Sequence, residues 1–133
     1  MSFSVSKKIK LAGIGLYGSH EGKTFSGTLR VVEGGTTVTG NVIYEESAEI
    51  PPALGQENCI TTMMFKKPVR IKPCVDYTIE FSSTTVGYVY YGCGGKPTID
   101  GEKGVVFEFK YLNGSSYSTG SESGLFPEIY YLV

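Results

Sequence analysis

Apolar side chains recur at every second position along most of this chain, and that period limits its fold more than any other feature. Val75, Tyr77, Ile79 and Phe81 alternate with Asp76, Thr78, Glu80 and Ser82. Val105, Phe107, Phe109 and Tyr111 alternate around Glu108 and Lys110. Phe25, Leu29 and Val31 share one parity, and Val69 and Ile71 alternate with Arg70 and Lys72. Val38, Val42 and Tyr44 fall on one side of a segment from Thr36 to Glu45, and Val86, Tyr88 and Tyr90 form another set. Cys59, Met63 and Phe65 lie together, although Ile60 and Met64 give that segment an apolar reverse face. The chain closes with Ile129 and Tyr131 against Tyr130 and Leu132. A period of two is the mark of half-buried antiparallel strands. Glycine and proline punctuate the segments at intervals typical of sandwiches and barrels. The one helix candidate, Glu45 to Glu57, is interrupted by Pro51-Pro52, so a single turn is the most it allows. The expectation is an all-β, two-sheet antiparallel β-sandwich, jelly-roll-like, of eight to ten strands. Residues 1–133 form one domain, with Met1 and Ser2 read as possible cloning residues. The Gly-rich stretches 92–104 and 113–124 read as long loops, where binding tends to reside on a β scaffold.

One motif offers a competing fold. Gly13, Gly15 and Gly18 in AGIGLYG spell the G-x-G-x-x-G of a dinucleotide-binding turn. That turn must open a helix, whose N-terminus holds the pyrophosphate. The segment after Gly18 is SHEGKTFSGTLRVVEGG, rich in glycine and alternating rather than helical. Glycine at that density costs a helix about 1 kcal/mol per residue relative to alanine. The glycines are therefore read as a strand feature supplying positive φ, a bulge, or close approach of another backbone, with Leu16 and Tyr17 packed beneath.

The 133 residues suffice for one core, and 41% of them are hydrophobic, including 10 tyrosines and 7 phenylalanines. Such a chain is not disordered. A net charge of −1 argues against a nucleic-acid binder. No apolar run approaches the roughly 20 residues of a membrane span, and MSFSVSKKIK lacks the apolar region of a signal peptide. Cys59, Cys74 and Cys93 are odd in number and form no C-x-x-C pair, so they read as isolated buried thiols in a reducing, cytoplasmic compartment. Asn113-Gly114-Ser115 reads as a turn.

Reactive chemistry finds little footing. His20 is the single histidine and sits in a Gly-flanked loop, so any Ser-His or Cys-His mechanism rests on it alone. Three scattered cysteines and one histidine do not make a zinc site. Asp76, Glu80 and Glu108 fall opposite the aromatic residues, on a solvated face. Asp100 and Glu102 lack the spacing of a calcium loop. The chain is therefore read as non-enzymatic, without cofactor or metal. Lys66, Lys67, Arg70 and Lys72 form a basic run that reads as a charged strand edge, with contact to an acidic partner as the alternative. Tyr88, Tyr90 and Tyr91 lead into a Gly-rich loop and cannot all be core. An exposed tyrosine beside a loop marks a protein recognition surface or, alternatively, a platform for sugar stacking.

The order of landmarks supplies more. AGIGLYGS, MMFKKPVRIKPCVDYT, YYG, FEFKY-LNGSS and G-LFPEIYY together resemble the PHR domain, named for the Pam/Highwire/Rpm ubiquitin ligases. Gly13, Gly15, Leu16, Tyr17 and Gly18 match the opening motif. Phe65, Pro68, Val69, Ile71, Pro73, Tyr77 and Thr78 match the middle one. Pro127, Glu128, Ile129 and Tyr131 match the last, with Phe126 where an aliphatic residue is expected. Asn113 and Gly114 match an Asn-Gly-Thr/Ser loop. The resemblance implies a β-sandwich acting as a non-catalytic protein-interaction module. It implies a place in a giant RING E3 ubiquitin ligase of synapse and axon development, or in a BTB adaptor that recruits substrates to a cullin ligase. CGGKPTIDGEKG at 93–104 differs from the adaptor form and tilts the reading toward the giant ligase. The expected partner is a protein or ubiquitination substrate, met by a domain that is monomeric when isolated. A carbohydrate-binding jelly roll is the reading of another class. Loop position and residue type together nominate His20, Tyr88, Tyr91, Lys96, Asn113, Ser115 and Tyr117 as contact residues.

Overall fold

The computed structural model describes residues 2–17, 24–34, 40–50, 60–83, 92–93, 98–110, 123–124 and 128–133. Eleven strands run through them: β1 (Ser2–Val5), β2 (Ile9–Tyr17), β3 (Phe25–Glu33), β4 (Asn41–Ile50), β5 (Ile60–Ile71), β6 (Tyr77–Ser83), β7 (Gly92–Cys93), β8 (Thr98–Asp100), β9 (Val106–Lys110), β10 (Ser123–Gly124) and β11 (Glu128–Leu132). A single 3₁₀ turn, Glu102–Gly104, joins β8 to β9. A six-stranded sheet has the order β4-β3-β6-β1-β9-β8, and a three-stranded sheet the order β11-β2-β5. Every pairing is antiparallel. The expected all-β sandwich of two principal sheets is what the chain forms.

The N-terminal segment organises both layers. β1 lies inside the six-stranded sheet, and β2 is the middle strand of the other. The crossing between them is pinned to the β8–β9 corner. Ser6 N–H donates to Val106 O at 3.0 Å, and Val106 N–H donates to Ser6 Oγ at 2.8 Å. Ser2, a suspected cloning residue, is itself buried and paired with Thr78 and Lys110.

Alternation converts directly into packing. Phe3, Val5, Leu29, Val31, Tyr77, Ile79, Phe81 and Phe107 face inward from the large sheet. Leu11, Ile14, Leu16, Phe65, Val69 and Ile71 answer them from the small one, flanked by half-buried Ile129 and Tyr131. Rings bridge the layers. Phe107 and Tyr131 lie 5.1 Å apart at 58°, a tilted geometry that the ring quadrupoles favour. The Tyr131 hydroxyl donates to Glu102 O at 2.9 Å, and Tyr77 accepts the Lys72 N–H at 3.0 Å, so each phenol has a polar partner.

The structure departs from the sequence reading at several points. Eleven strands rather than eight to ten are described, because the stretches 92–104 and 113–124 read as loops contain β7, β8, the 3₁₀ turn and β10. Glu45 to Ile50, the start of the helix candidate, continues strand β4, and the remainder to Glu57 lies outside the described residues. Val42 and Tyr44 do not share a face. The register of β3 with β4 shifts between Val31 and Val32 so that Ile43 is the extra residue. Tyr44 therefore faces Val31 and the core, while Val42 is left 37% exposed. The segments at 60–65 and 69–71 are one strand, β5. Cys74 is not a buried thiol: it is exposed, in a turn with φ of 59°.

β5 also explains the basic run. Between the pairs Leu11↔Val69 and Gly13↔Met64, β2 inserts only Ala12 while β5 inserts Phe65 to Pro68. Pro68 has no N–H for the ladder, so β5 leaves its partner there. Lys66 N–H instead donates to Tyr44 Oη of β4 at 3.1 Å. Phe65 stacks on Tyr44 at 4.9 Å, and the Tyr44 hydroxyl donates to Glu46 at 2.6 Å. Burial and the bond to Glu46 hold the Tyr44 phenol above its ordinary pKa of 10.0. This clasp joins the edge strands of the two sheets. Lys66, Lys67 and Arg70 stand exposed on β5, an edge of its sheet, as the charged-edge reading expects.

Candidate functional site

The outer faces of the two sheets differ. On the six-stranded sheet, Val32, Thr78, Ser2 and Ser4 point away from the core yet are buried, and Thr78 Oγ1 has no hydrogen-bond partner. On the three-stranded sheet, the outward residues of β5 include Ile60 at 38% and Met64 at 55% exposure. An antiparallel sheet with one face in water normally carries polar residues there. The apolar reverse face legible at Ile60 and Met64 is therefore real and open.

Its floor is the G-x-G of β2. Register places Gly13 between Tyr130 and Met64, and Gly15 between Glu128 and Thr62. Neither glycine is among the described positive-φ positions. Both are required by close approach. A Cβ on Gly13 would meet Met63 O at 2.6 Å and Met64 Sδ at 2.8 Å, and one on Gly15 would meet Glu128 Cβ at 2.9 Å. Side chains from β11 and β5 thus lean across the middle strand. The Tyr130 and Thr62 hydroxyls, on strands that do not pair, meet at 3.3 Å over β2, and the Tyr130 hydroxyl also donates to the Glu128 carboxylate. A side chain at Gly13 or Gly15 would stand between them. The bulge at Ala12 shifts both flanking registers. Beyond it, Lys10 lies between Arg70 and Leu132, all three exposed.

All seven sequence-nominated contact residues, His20, Tyr88, Tyr91, Lys96, Asn113, Ser115 and Tyr117, lie outside the described residues. The described strands do fix the ends of the segments that carry them. β7 pairs with β10 through Ser123↔Cys93 and Gly124↔Gly92. Six of the seven lie in segments 84–91, 94–97 and 111–122, which adjoin these strands in the sequence. His20 lies apart, between β2 and β3. Sequence reasoning did not nominate Tyr130, Thr62 or Lys10. The signal available was the pairing of G-x-G with a flanking strand whose reverse face is apolar. Among the described residues no three His, Cys, Asp or Glu side chains gather as metal ligands, and no helix is long and apolar enough to cross a membrane.

The described strands form an aromatic two-layer β-sandwich. The PHR domain model matches residues 1–132, and the chain belongs to the PHR domain family. It is 29% identical over 130 residues to BTB/POZ domain-containing protein 6-B of Danio rerio, covering 97% of this chain and 25% of that protein. Identity is 28% to BTB/POZ domain-containing protein 6 of Xenopus tropicalis and 27% to that of Homo sapiens, each with 97% of this chain and 23% of the relative covered. The chain thus spans about a quarter of the length of the curated relatives it matches.

Proposed function

We propose that this domain recruits a partner or substrate protein to a ubiquitin ligase and performs no chemistry of its own. The observation that carries the reading is the family match over residues 1–132, on a chain whose described strands form a β-sandwich. Tyr88, Tyr91, Lys96, Asn113, Ser115 and Tyr117, with His20, are the contact residues of this reading, nominated by their position in the sequence and their residue type. The parent is a giant RING ligase of synapse and axon development or a BTB adaptor of a cullin ligase. The BTB/POZ names of the relatives fit the second setting, and the divergent run at 93–104 fits the first. In either the domain works in the cytoplasm.

The test is substitution of Tyr88 and Tyr91 by alanine together. Capture of a ubiquitinated partner should fall at least tenfold while the thermal midpoint stays within about 2 °C, since exposed substitutions change stability by about 0.5 kcal/mol or less. A collapsed melt would place those rings in the core. Unchanged capture would move the contact surface elsewhere.

A further inference from the structure

We propose that the outer face of the three-stranded sheet is a second binding surface, and that its occupant is an extended acidic segment of another protein. The segment seats an apolar side chain against Met64 and Ile60 and lays a carboxylate over Lys10 and Arg70. This goes beyond the contact surface proposed above and rests on different residues.

Three observations carry it. The first is the placement of apolar surface on the free face of an edge-containing sheet. Ile60 and Met64 are exposed on β5, and Leu132, at 53% exposure, lies on β11 on the same face. Exposed apolar side chains on the solvated face of a sheet are what a partner can cover, and methionine is the side chain that best adapts to a varied partner. The second is the polar row over the middle strand, where side chains of β11 and β5 lean across the buried Gly13 and Gly15. The Tyr130 and Thr62 hydroxyls offer polar contacts along the path of the segment.

The third is charge. Lys10 and Arg70 sit directly opposite each other across the β2–β5 ladder. Like charges in that position are destabilising. Neither has an ion pair or side-chain hydrogen bond among the described residues, whose cations elsewhere include Arg30 bound to Glu45 and Lys72 bound to Glu33. A carboxylate from outside relieves the repulsion. Glu128 lies at the opposite end of the face, so the surface is polar along its length and fixes the direction of the bound segment. From Gly13, opposite Met64, to Lys10 is the span from Tyr130 to Leu132 on β11, two strand residues or about 7 Å at 3.3 Å per residue. An extended occupant therefore carries its acid two to four residues from its apolar anchor. Two adjoining cations on a chain of net charge −1 favour a carboxylate over a phosphate backbone, which needs many contacts.

The test is selection of random 12-residue phage-displayed peptides on the full chain, followed by fluorescence anisotropy with a synthetic peptide from the enriched set. Enriched peptides should carry Asp or Glu two to four residues from Leu, Ile, Met or an aromatic residue. Met64→Lys, and separately Lys10→Glu with Arg70→Glu, should each weaken binding at least tenfold with an unchanged near-ultraviolet circular dichroism spectrum. Raising salt from 50 to 500 mM should weaken the parent several-fold and the charge-reversed variant little. Absence of enrichment, enrichment without acids, or affinity indifferent to both variants overturns the proposal. Sedimentation of the parent as a dimer that Met64→Lys dissociates also overturns it, because a second copy is then the occupant. Peptide binding lost with Tyr88→Ala and Tyr91→Ala but kept with Met64→Lys removes this surface and leaves the ligase-recruitment reading standing. The opposite pattern removes that reading and supports this one.

Discussion

Gly13→Ala tests the account of β2 more sharply than any truncation of the core. The added methyl points outward, so a simple solvated strand would welcome it. Alanine constrains the unfolded chain more than glycine does, which alone would stabilise the fold by about 0.4–1 kcal/mol. The structure predicts the opposite sign. The new Cβ stands 2.6 Å from Met63 O and 3.0 Å from Met64 Cα, both backbone atoms, and 2.8 Å from Met64 Sδ. The thioether can swing away, but the β5 backbone can retreat only by loosening its ladder to β2. Overpacking of this kind costs about 1–3 kcal/mol, leaving a net loss of about 1–2 kcal/mol. Gly15→Ala meets only side-chain atoms, Glu128 Cβ at 2.9 Å and Ile60 Cγ2 at 3.0 Å, on an edge strand and at a strand end. It should lose under about 1 kcal/mol. Urea unfolding followed by tyrosine fluorescence is the assay, the chain having 10 tyrosines and no tryptophan. With a slope of about 2 kcal/mol per molar, the Gly13 midpoint should fall by about 0.5–1 M. Adding Met64→Ala should not restore it, because the backbone contacts remain. A Gly13→Ala protein as stable as the parent, or a larger loss at Gly15, would refute the close-approach argument.

Two further outcomes concern the edges of the sheets. Tyr44→Phe removes the acceptor of the Lys66 N–H and the donor to Glu46, and should lower stability by about 1 kcal/mol in thermal or urea unfolding. Because the folded phenol is held above its unfolded pKa of 10.0, Tyr44 binds its proton more tightly in the fold. Its contribution is complete below pH 10 and lost as pH rises through the folded value, so the parent's stability should fall more steeply above pH 10 than that of Tyr44→Phe. Lys66→Val with Lys67→Val should leave the unfolding free energy within about 0.5 kcal/mol but raise light scattering on storage, since the charges guard the edge strand of the three-stranded sheet.

The layered fold was legible because alternation is a property of the residues themselves. Phe3, Val31, Tyr77, Ile79 and Phe107 are buried whatever strand lies beside them, since parity alone sends them inward. Register was not legible, because it depends on where one strand slips against another. The bulge at Ile43 separates Val42 from Tyr44, and the excursion at Pro68 sends Lys66 to a partner in the other sheet. Pro68 announced a break but not its destination. Glu45 to Ile50 reads as helix-compatible in isolation and becomes strand because β3 offers it a full ladder down to Phe25↔Ile50. Local propensity yields there to pairing.

The candidate surfaces divide along the same line. Ile60 and Met64 broke the polar-out pattern in the sequence itself, but the meaning of that break needed the strands beside them. Gly13 and Gly15 look like a phosphate turn when read along the chain and like room for neighbouring side chains when read across it. The difference is decided by which strands flank β2. With β11 on one side and β5 on the other, the absent side chains let Tyr130 reach Thr62, and Lys10 and Arg70 lie opposite each other at the end of the same face, without an ion pair among the described residues. A glycine motif usually assigned to backbone–phosphate contact thus acts here through side-chain room, and the chemistry it serves is set by its cross-strand neighbours.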